Sequence, residues 1–395
     1  MKPYYEDNQA TIYNGDCRDV LARLPDESVH CVVTSPPYWG LRNYGTEPSV
    51  WGGDSACEHV WVDATYVIRS NDNKGNRGTE KQRTNVGTIG REKPVENAFC
   101  SLCGAWQGSL GLEPTPELYI EHLTLVFMEV WRALKPDGTL WLNLGDSYVG
   151  GKGQSGSQGA EYQEGRNKNQ RSLNKGYQTL GGSKQTKPSD NRAALKISNL
   201  KPKDLVGIPW MAAFALRSAG WYLRSDIIRS KPSPMPESVG DRPTKAHEYI
   251  FLLTKSAKYY YDADAIKERA ATPMDSKSKG GFGSLNGKRS SREYAHTNNI
   301  GKAWDKSEYR NRRSVWTVPT RPYPDAHFAT FPPDLIKPCI LAGCPAGGTV
   351  LDPFAGSGTT GFVARKNNCR FIGIELNDDY CRLIAKRLSQ EALQF

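Results

Sequence analysis

Residue types able to do chemistry gather in three places along this 395-residue chain. Two are tight turns far apart in sequence, Thr34-Ser35-Pro36-Pro37-Tyr38 and Asp352-Pro353-Phe354-Ala355-Gly356-Ser357-Gly358-Thr359-Thr360. Each follows a short apolar strand, Val29-His30-Cys31-Val32-Val33 and Thr349-Val350-Leu351. Open parallel sheets bind ligands at the carboxyl ends of their strands, so the turns are expected to form two halves of one site. Gly356 and Gly358 let the backbone approach a ligand, and a helix starting near Thr359 would offer free N–H groups to a carboxylate. This half suits a nucleotide-like cofactor, with tight strand–helix packing as the competing reading. The Pro-Pro half is fixed in φ and ends in an aromatic ring expected to be exposed, which suits a flat substrate such as a base. Glu375 closes the strand Phe371-Ile372-Gly373-Ile374, 23 residues beyond Asp352, where an acidic residue can accept hydrogen bonds from both ribose hydroxyls.

The third place combines Cys57-Glu58-His59 with Cys100-Ser101-Leu102-Cys103-Gly104. Cys-x-x-Cys-Gly is a common zinc knuckle, and Cys-x-His can supply the second ligand pair. The 40 intervening residues are polar and would form a loop closed by a structural metal. A redox Cys-x-x-Cys should precede a helix in a thioredoxin-like setting, and unliganded reduced thiols are the other alternative. Nine scattered cysteines do not read as a disulfide framework.

Alternating elements must position these groups. The strand Ala10 to Asn14 leads to Asp16, followed by a helix over about Cys17–Leu24. Apolar residues at helical spacing (Leu118, Leu123, Val126, Phe127, Val130, Leu134) predict a helix from Pro116 to Leu134. It should stop at a Lys135-Pro136-Asp137-Gly138 turn before the strand Thr139–Leu144. A helix is expected from about Pro209 to Ala219, then strands Tyr222–Ile228 and Glu248–Thr254. The last segment reads strand, turn, helix (Thr359–Lys366), strand (Phe371–Glu375), helix (Asp378–Leu388). Strands alternating with helices argue for a doubly wound parallel sheet.

Charge is unevenly spread. The chain is +10 overall with a pI near 9.0 and a mean hydropathy of −0.61. Residues 150–203 carry 11 Lys/Arg against 3 Asp/Glu, and residues 267–313 carry 12 against 5, so everything else is net acidic. Both segments are polar, which favours a surface facing nucleic acid over uniform solvation. No apolar run is long enough to span a membrane, and Met1-Lys2-Pro3-Tyr4-Tyr5-Glu6-Asp7 lacks the form of a signal peptide.

The full strings Val33-Thr-Ser-Pro-Pro-Tyr38 and Leu351-Asp-Pro-Phe-Ala-Gly-Ser-Gly-Thr-Thr360 resemble those of the permuted, beta-type amino DNA methyltransferases, which use S-adenosylmethionine. The resemblance covers most of the chain outside two insertions. It implies an α/β fold: a doubly wound, mostly parallel Rossmann-like sheet, circularly permuted so that the catalytic half comes first. Residues 1–49 would be the catalytic half and 50–103 a candidate zinc-binding insertion. Residues 104–149 and 204–262 continue the methyltransferase domain around a flexible basic loop at 150–203. Residues 263–319 would be the basic target-recognition region and 320–395 the cofactor-binding half.

By the same resemblance, Asp352, Pro353, Phe354, Gly356, Ser357, Gly358, Thr359 and Thr360 line the methionine moiety. Phe331, within His327–Ile336, covers the sulfonium end. Asp16 accepts from the adenine amino group, with a helix N-cap as its competing role. The catalytic group is Ser35, Pro36, Pro37 and Tyr38: the Ser35 hydroxyl and Pro36 carbonyl accept the target amine's hydrogens, and Tyr38 stacks on a flipped base. Lys231 and His247 either border the target pocket or are structural. Pro338-Cys339 sits in a helix-like apolar stretch and reads as a packed thiol rather than a nucleophile. The Ser-Pro-Pro-Tyr form is most typical of cytosine-N4 enzymes, with adenine N6 as the alternative. RNA or protein methylation and an inactive nucleic-acid-binding module are the other classes weighed. The implied partners are double-stranded DNA, a second copy of the chain in a homodimer and a cognate restriction endonuclease. The implied setting is the cytoplasm of a bacterium or phage host, at the nucleoid.

Overall fold

The computed structural model describes residues 1–40, 44, 46–63, 98–149, 200–201, 203–234, 236–237, 239–269, 309–320 and 331–392. Most of the expected basic loop (150–203) and much of the expected target-recognition region (263–319) lie outside the described residues, as do residues 327–330.

The main sheet has nine strands. In chain order these are β1 (Tyr5–Glu6), β2 (Ala10–Asn14), β3 (Val29–Thr34), β8 (Leu134–Leu144), β9 (Tyr222–Ser230), β10 (His247–Thr254), β13 (Val315–Thr317), β14 (Thr349–Asp352) and β15 (Arg370–Glu375). Their spatial order is β1-β2-β15-β14-β3-β8-β10-β9-β13. The five strands from β2 to β8 run parallel, while β10 is antiparallel to both its neighbours. The C-terminal strands β14 and β15 fill the slot between β2 and β3, as the permuted order requires. A separate four-stranded antiparallel sheet is built from β4 (Ser49–Trp51), β5 (Trp61–Asp63), β6 (Ala98–Cys100) and β7 (Trp106–Gly108). A two-residue pair, β11 (Glu268–Arg269) with β12 (Tyr309–Arg310), completes the strands among the described residues.

Among the described residues, six helices cover the main sheet: α1 (Cys17–Leu21), α2 (Pro116–Ala133), α3 (Ile208–Ser218), α4 (Pro333–Gly343), α5 (Thr359–Lys366) and α6 (Asp378–Ala392). Side chains alternate between faces along each strand. Val32, Leu140, Leu142, Phe251 and Leu253 therefore join a core with α1, α2 and α3. Cys31, Val33, Trp141, Ile250 and Leu252 join a second core with α4, α5 and α6. Helices on both faces make the sheet doubly wound, confirming the fold read from the sequence.

The largest departures from the expected element boundaries are at α1, β8 and α6, while β9 runs two residues past Ile228 to Ser230. The helix α1 ends at Leu21, because Arg132 reaches across from α2 to take the carbonyls of Leu21 (2.6 Å) and Leu24 (2.9 Å). Lys135–Gly138 is not a turn ahead of a strand but a bulge within β8. Val29 pairs with Leu134 and Cys31 with Thr139, so four residues are looped out inside the ladder. The final helix runs on to Ala392, past Leu388. Cys339 is fully buried in α4 and donates to the Leu335 carbonyl, as a packed thiol should.

Candidate active site

The strands β3 and β14 are parallel neighbours, with Cys31 and Val32 opposite Val350 and Leu351. Their carboxyl ends therefore present the two turns side by side. The link between them is direct: the Thr34 hydroxyl donates to Asp352 Oδ1 at 2.6 Å. Thr360, at the start of α5, donates to Asp352 Oδ2 at the same distance, and the Phe354 N–H adds a third bond. Asp352 is 1% exposed. Burial raises its carboxyl to about 6 even though the Thr34 and Thr360 hydroxyls favour the charged form. It acts here as a staple between the turns.

The glycine turn is shaped by the residues under it. Gly356 (φ +53°) and Gly358 (φ +74°) occupy the left-handed region. A Cβ at Gly358 would stand 3.0 Å from Ile384 of α6, so chain crossing as well as φ selects glycine. The Gly356 N–H donates to Glu375 Oε2 and the Asn377 N–H to Oε1, both at 2.8 Å. Glu375 thus lies at the end of the strand next to the turn. Burial pushes its carboxyl up to about 7, and the nearby Asp352 charge adds to the rise. Arg387 of α6 closes the far side on the Ser357 carbonyl (3.0 Å) and Thr359 hydroxyl (3.2 Å).

Asp16 follows β2, the strand beside β15, and Asn14 pairs with Glu375. Its side chain accepts from the Arg18 N–H, the helix N-cap role weighed from sequence. The Arg18 guanidinium also forks onto it (3.0 and 2.7 Å), and Ser49 donates at 2.9 Å. Burial opposes ionisation, but these Arg18 bonds hold the Asp16 carboxyl below its ordinary value. Phe331 is half-buried against the second core, just before α4.

The Pro-Pro turn is held differently. Tyr119 of α2 donates to the Pro37 carbonyl at 2.8 Å, and the Gly40 N–H to Gly111. The Ser35 hydroxyl lies 3.3 Å from Tyr38 Oη, longer than an ordinary O–H···O bond. Tyr38 donates to Asn143 Oδ1 at 3.1 Å, and Asn143 donates to the Tyr249 carbonyl at 2.9 Å. The Tyr38 ring is half-buried rather than exposed, because it packs on Gly145 so closely that a Cβ there would fall 2.6 Å from it. Burial and the Glu248 charge keep its phenol neutral.

The carboxyl end of β9 and the start of β10 bring basic groups beside this turn. Lys231 and Arg229 both pair with Glu248. Lys245 lies 3.7 Å from Asp146, and burial lowers its ammonium from the ordinary value. His247 is half-buried and lowered by burial and by the Lys245 and Lys231 charges. Asp146 also accepts the Gly207 and Ile208 N–H groups that open α3.

Asn143 and Asp146 escaped the sequence reading. Their signal was a polar residue at the end of a buried strand, Leu140-Trp141-Leu142-Asn143-Leu144, followed by Gly-Asp. The third group is brought together as well: one donor atom from each of Cys57, His59, Cys100 and Cys103 lies within 4.8 Å of every other.

Among known proteins, a sequence profile of the N6/N4 DNA methylase family matches residues 29–387. The chain is 37% identical over 384 residues to the type II methyltransferase M.Cfr9I of Citrobacter freundii, covering 97% of this chain and 89% of that protein. It is 37% identical over 374 residues to the type II methyltransferase M.SmaI of Serratia marcescens, covering 95% and 89%. A similar fold is found in the PvuII DNA methyltransferase (cytosine-N4-specific), with a TM-score of 0.53 at 15% identity, covering 98% of this chain and 89% of that one.

Proposed function

The chain belongs to the N6/N4 DNA methylase family, and from that premise we propose that it transfers the methyl group of S-adenosylmethionine to the exocyclic N4 of a flipped cytosine in double-stranded DNA. The observation carrying this reading is the juxtaposition of the Ser35 turn and the Gly356–Thr360 turn, stapled by Asp352 between Thr34 and Thr360.

The glycine turn receives the methionine part of the cofactor at the N-terminus of α5, and Glu375 receives the ribose hydroxyls. Asp16, already engaged by Arg18 and Ser49, faces the adenine end. An exocyclic amine is a poor nucleophile because its lone pair is delocalised into the ring. The Ser35 hydroxyl and the Pro36 carbonyl accept its two hydrogens and draw the nitrogen toward tetrahedral geometry. The fixed turn sets the in-line approach. The N–C bond forms as the sulfonium C–S bond breaks to a thioether, and the amine proton leaves to solvent. Tyr38, anchored through Asn143, offers its uncovered ring surface to the base, which must leave the duplex to reach the site. The Ser35 form of the turn supports cytosine as the target.

The test is methyl transfer from labelled S-adenosylmethionine to mixed-sequence unmethylated DNA, followed by nucleoside mass spectrometry. N4-methylcytosine is the expected product. N6-methyladenine would overturn the base assignment while keeping the mechanism, and no modified nucleoside would overturn the enzymatic reading.

A further inference from the structure

We propose that Cys57, His59, Cys100 and Cys103 bind one zinc ion, and that this metal fixes the small β4-β7-β6-β5 sheet as the support for the catalytic turn. The Cys57 and Cys100 sulfurs are 3.9 Å apart, and Cys103 Sγ is 3.4 Å from His59 Nδ1. Tetrahedral zinc, with Zn–S near 2.3 Å and Zn–N near 2.0–2.1 Å, requires S···S separations of about 3.8 Å and S···N of about 3.5 Å. The observed spacings match both. They exclude a Cys57–Cys100 disulfide, whose sulfurs would be about 2.05 Å apart.

The backbone has the form of a metal knuckle. The Leu102 N–H points at Cys100 Sγ (3.4 Å), the Gly104 N–H bonds the Cys100 carbonyl (2.9 Å), and Gly104 turns the chain at φ +74°. Cys57 and His59 arrive on the facing loop, whose Val60 carbonyl accepts the Ser101 N–H. The described strands of this sheet are only three residues long. Trp51 of β4 and Trp106 of β7 anchor one side in the main core, whereas Val60, Val62 and Leu102 beside the ligand pairs are exposed, so a metal is the tie that would hold the β5–β6 end.

This sheet reaches the catalytic turn through a short chain of contacts. His122 of α2 stacks against both Trp51 of β4 (4.8 Å) and its cross-strand partner Trp106 of β7 (5.3 Å). Its Nδ1 lies 3.1 Å from the buried Glu113 carboxyl. The other Glu113 oxygen accepts the Gly111 N–H, and its carbonyl accepts the Trp39 indole. Gly111 lies against Pro37 and Tyr38, with no room for a Cβ without pressing on both. The metal site stands on its own geometry, whereas calling the supported turn catalytic rests on the function proposed above.

The experiment uses the full chain, purified without chelators or a histidine tag. Metal analysis is expected to give about one zinc per chain. Exchange for cobalt should give the intense d–d bands of a tetrahedral site together with thiolate charge-transfer absorption. Cys103→Ala should lose the metal. Should that variant fail to fold, titrating wild-type thiols with a mercurial must release about one zinc per chain into an indicator dye. Hydrogen exchange then reads the mechanical role: on metal removal, amides of residues 109–113 and Gly40 should exchange faster while those of α6 do not change. Folded protein that neither carries zinc nor binds cobalt overturns the site. Loss of metal with unaltered exchange at residues 109–113 overturns the support role, and neither result depends on which base is methylated.

Discussion

The two turns at the carboxyl edge of the sheet are held in opposite ways. The turn proposed to receive the cofactor is tied by carboxylates: Asp352 takes two hydroxyls and an N–H, and Glu375 takes the N–H groups of Gly356 and Asn377. The turn proposed to be catalytic shares the Thr34–Asp352 bond, but beyond Thr34 it is held by neutral contacts: a tyrosine on the Pro37 carbonyl, a phenol on an amide, and a ring against a glycine. A carboxylate network fixes backbone N–H groups rigidly, which suits the cofactor-binding role proposed for this turn. It also makes that turn sensitive to proton uptake. The Ser35–Tyr38 contact of the other turn is already long, which leaves it room to adapt to the base that the proposed function would bring.

The largest effect should follow from removing Asp352, whose carboxyl bonds both halves. Asp352→Ala leaves the Thr34 and Thr360 hydroxyls buried without their acceptor, which should cost about 2–4 kcal/mol. Binding of S-adenosylmethionine, read by calorimetry on the still-folded fraction, should be lost. Unchanged affinity would show that the staple is dispensable and that the two turns are independent.

Removing groups only from the neutral turn should separate chemistry from binding. Ser35→Ala and Tyr38→Ala are each expected to lower kcat by about 10²-fold. The dissociation constant for S-adenosylmethionine should be unaltered in both. Normal turnover in both variants would remove the catalytic assignment, and a parallel loss of cofactor affinity would mean the halves are not built separately.

Gly145→Ala is a milder probe of the same half, because its methyl group would displace the Tyr38 ring without deleting any polar group. A drop in turnover of about tenfold, equivalent to about 1.4 kcal/mol in the barrier, is expected, with cofactor affinity intact. A variant as fast as the wild type would show that the placement of Tyr38 on Gly145 does not matter to the reaction.

How far the sequence foretold these differences depends on the range of the contacts. The alternating faces of β3, β8 and β10 and the two strand-end turns were legible because each is a local pattern. The convergence of the Cys57 and Cys100 pairs was legible because ligand spacing carries chemistry across a long gap. The Thr34–Asp352 bond spans 318 residues and has no local signature, so the expectation that Asp352 lines the ligand did not include its bond across the two turns. Tyr38 was expected to be exposed because nothing near it in sequence announces Gly145, which comes from another strand end. The β8 bulge was read as a turn because Lys-Pro-Asp-Gly has turn chemistry, while the ladder that continues on both sides is a tertiary fact.

The smallest expected effect is the most specific to the carboxylate turn. Glu375 has its carboxyl raised from 4.5 to about 7, and Asp352 from 3.8 to about 6. In both cases the folded chain holds its proton more tightly than the unfolded chain. Stability of the ligand-free protein should therefore fall as pH rises from about 4 to 7, where the unfolded carboxyls ionise first, and level off above that. Cofactor affinity should move the other way, since ribose hydroxyls bond more strongly to an ionised Glu375. One pH unit below its value about a tenth of Glu375 is ionised, which limits the weakening there to about tenfold. Glu375→Gln should bind S-adenosylmethionine more weakly above pH 7 and flatten this part of the pH dependence. If its affinity keeps the wild-type pH profile, the titrating group lies elsewhere. The catalytic turn, held by neutral groups, should give a Ser35→Ala variant whose cofactor affinity retains the full wild-type profile.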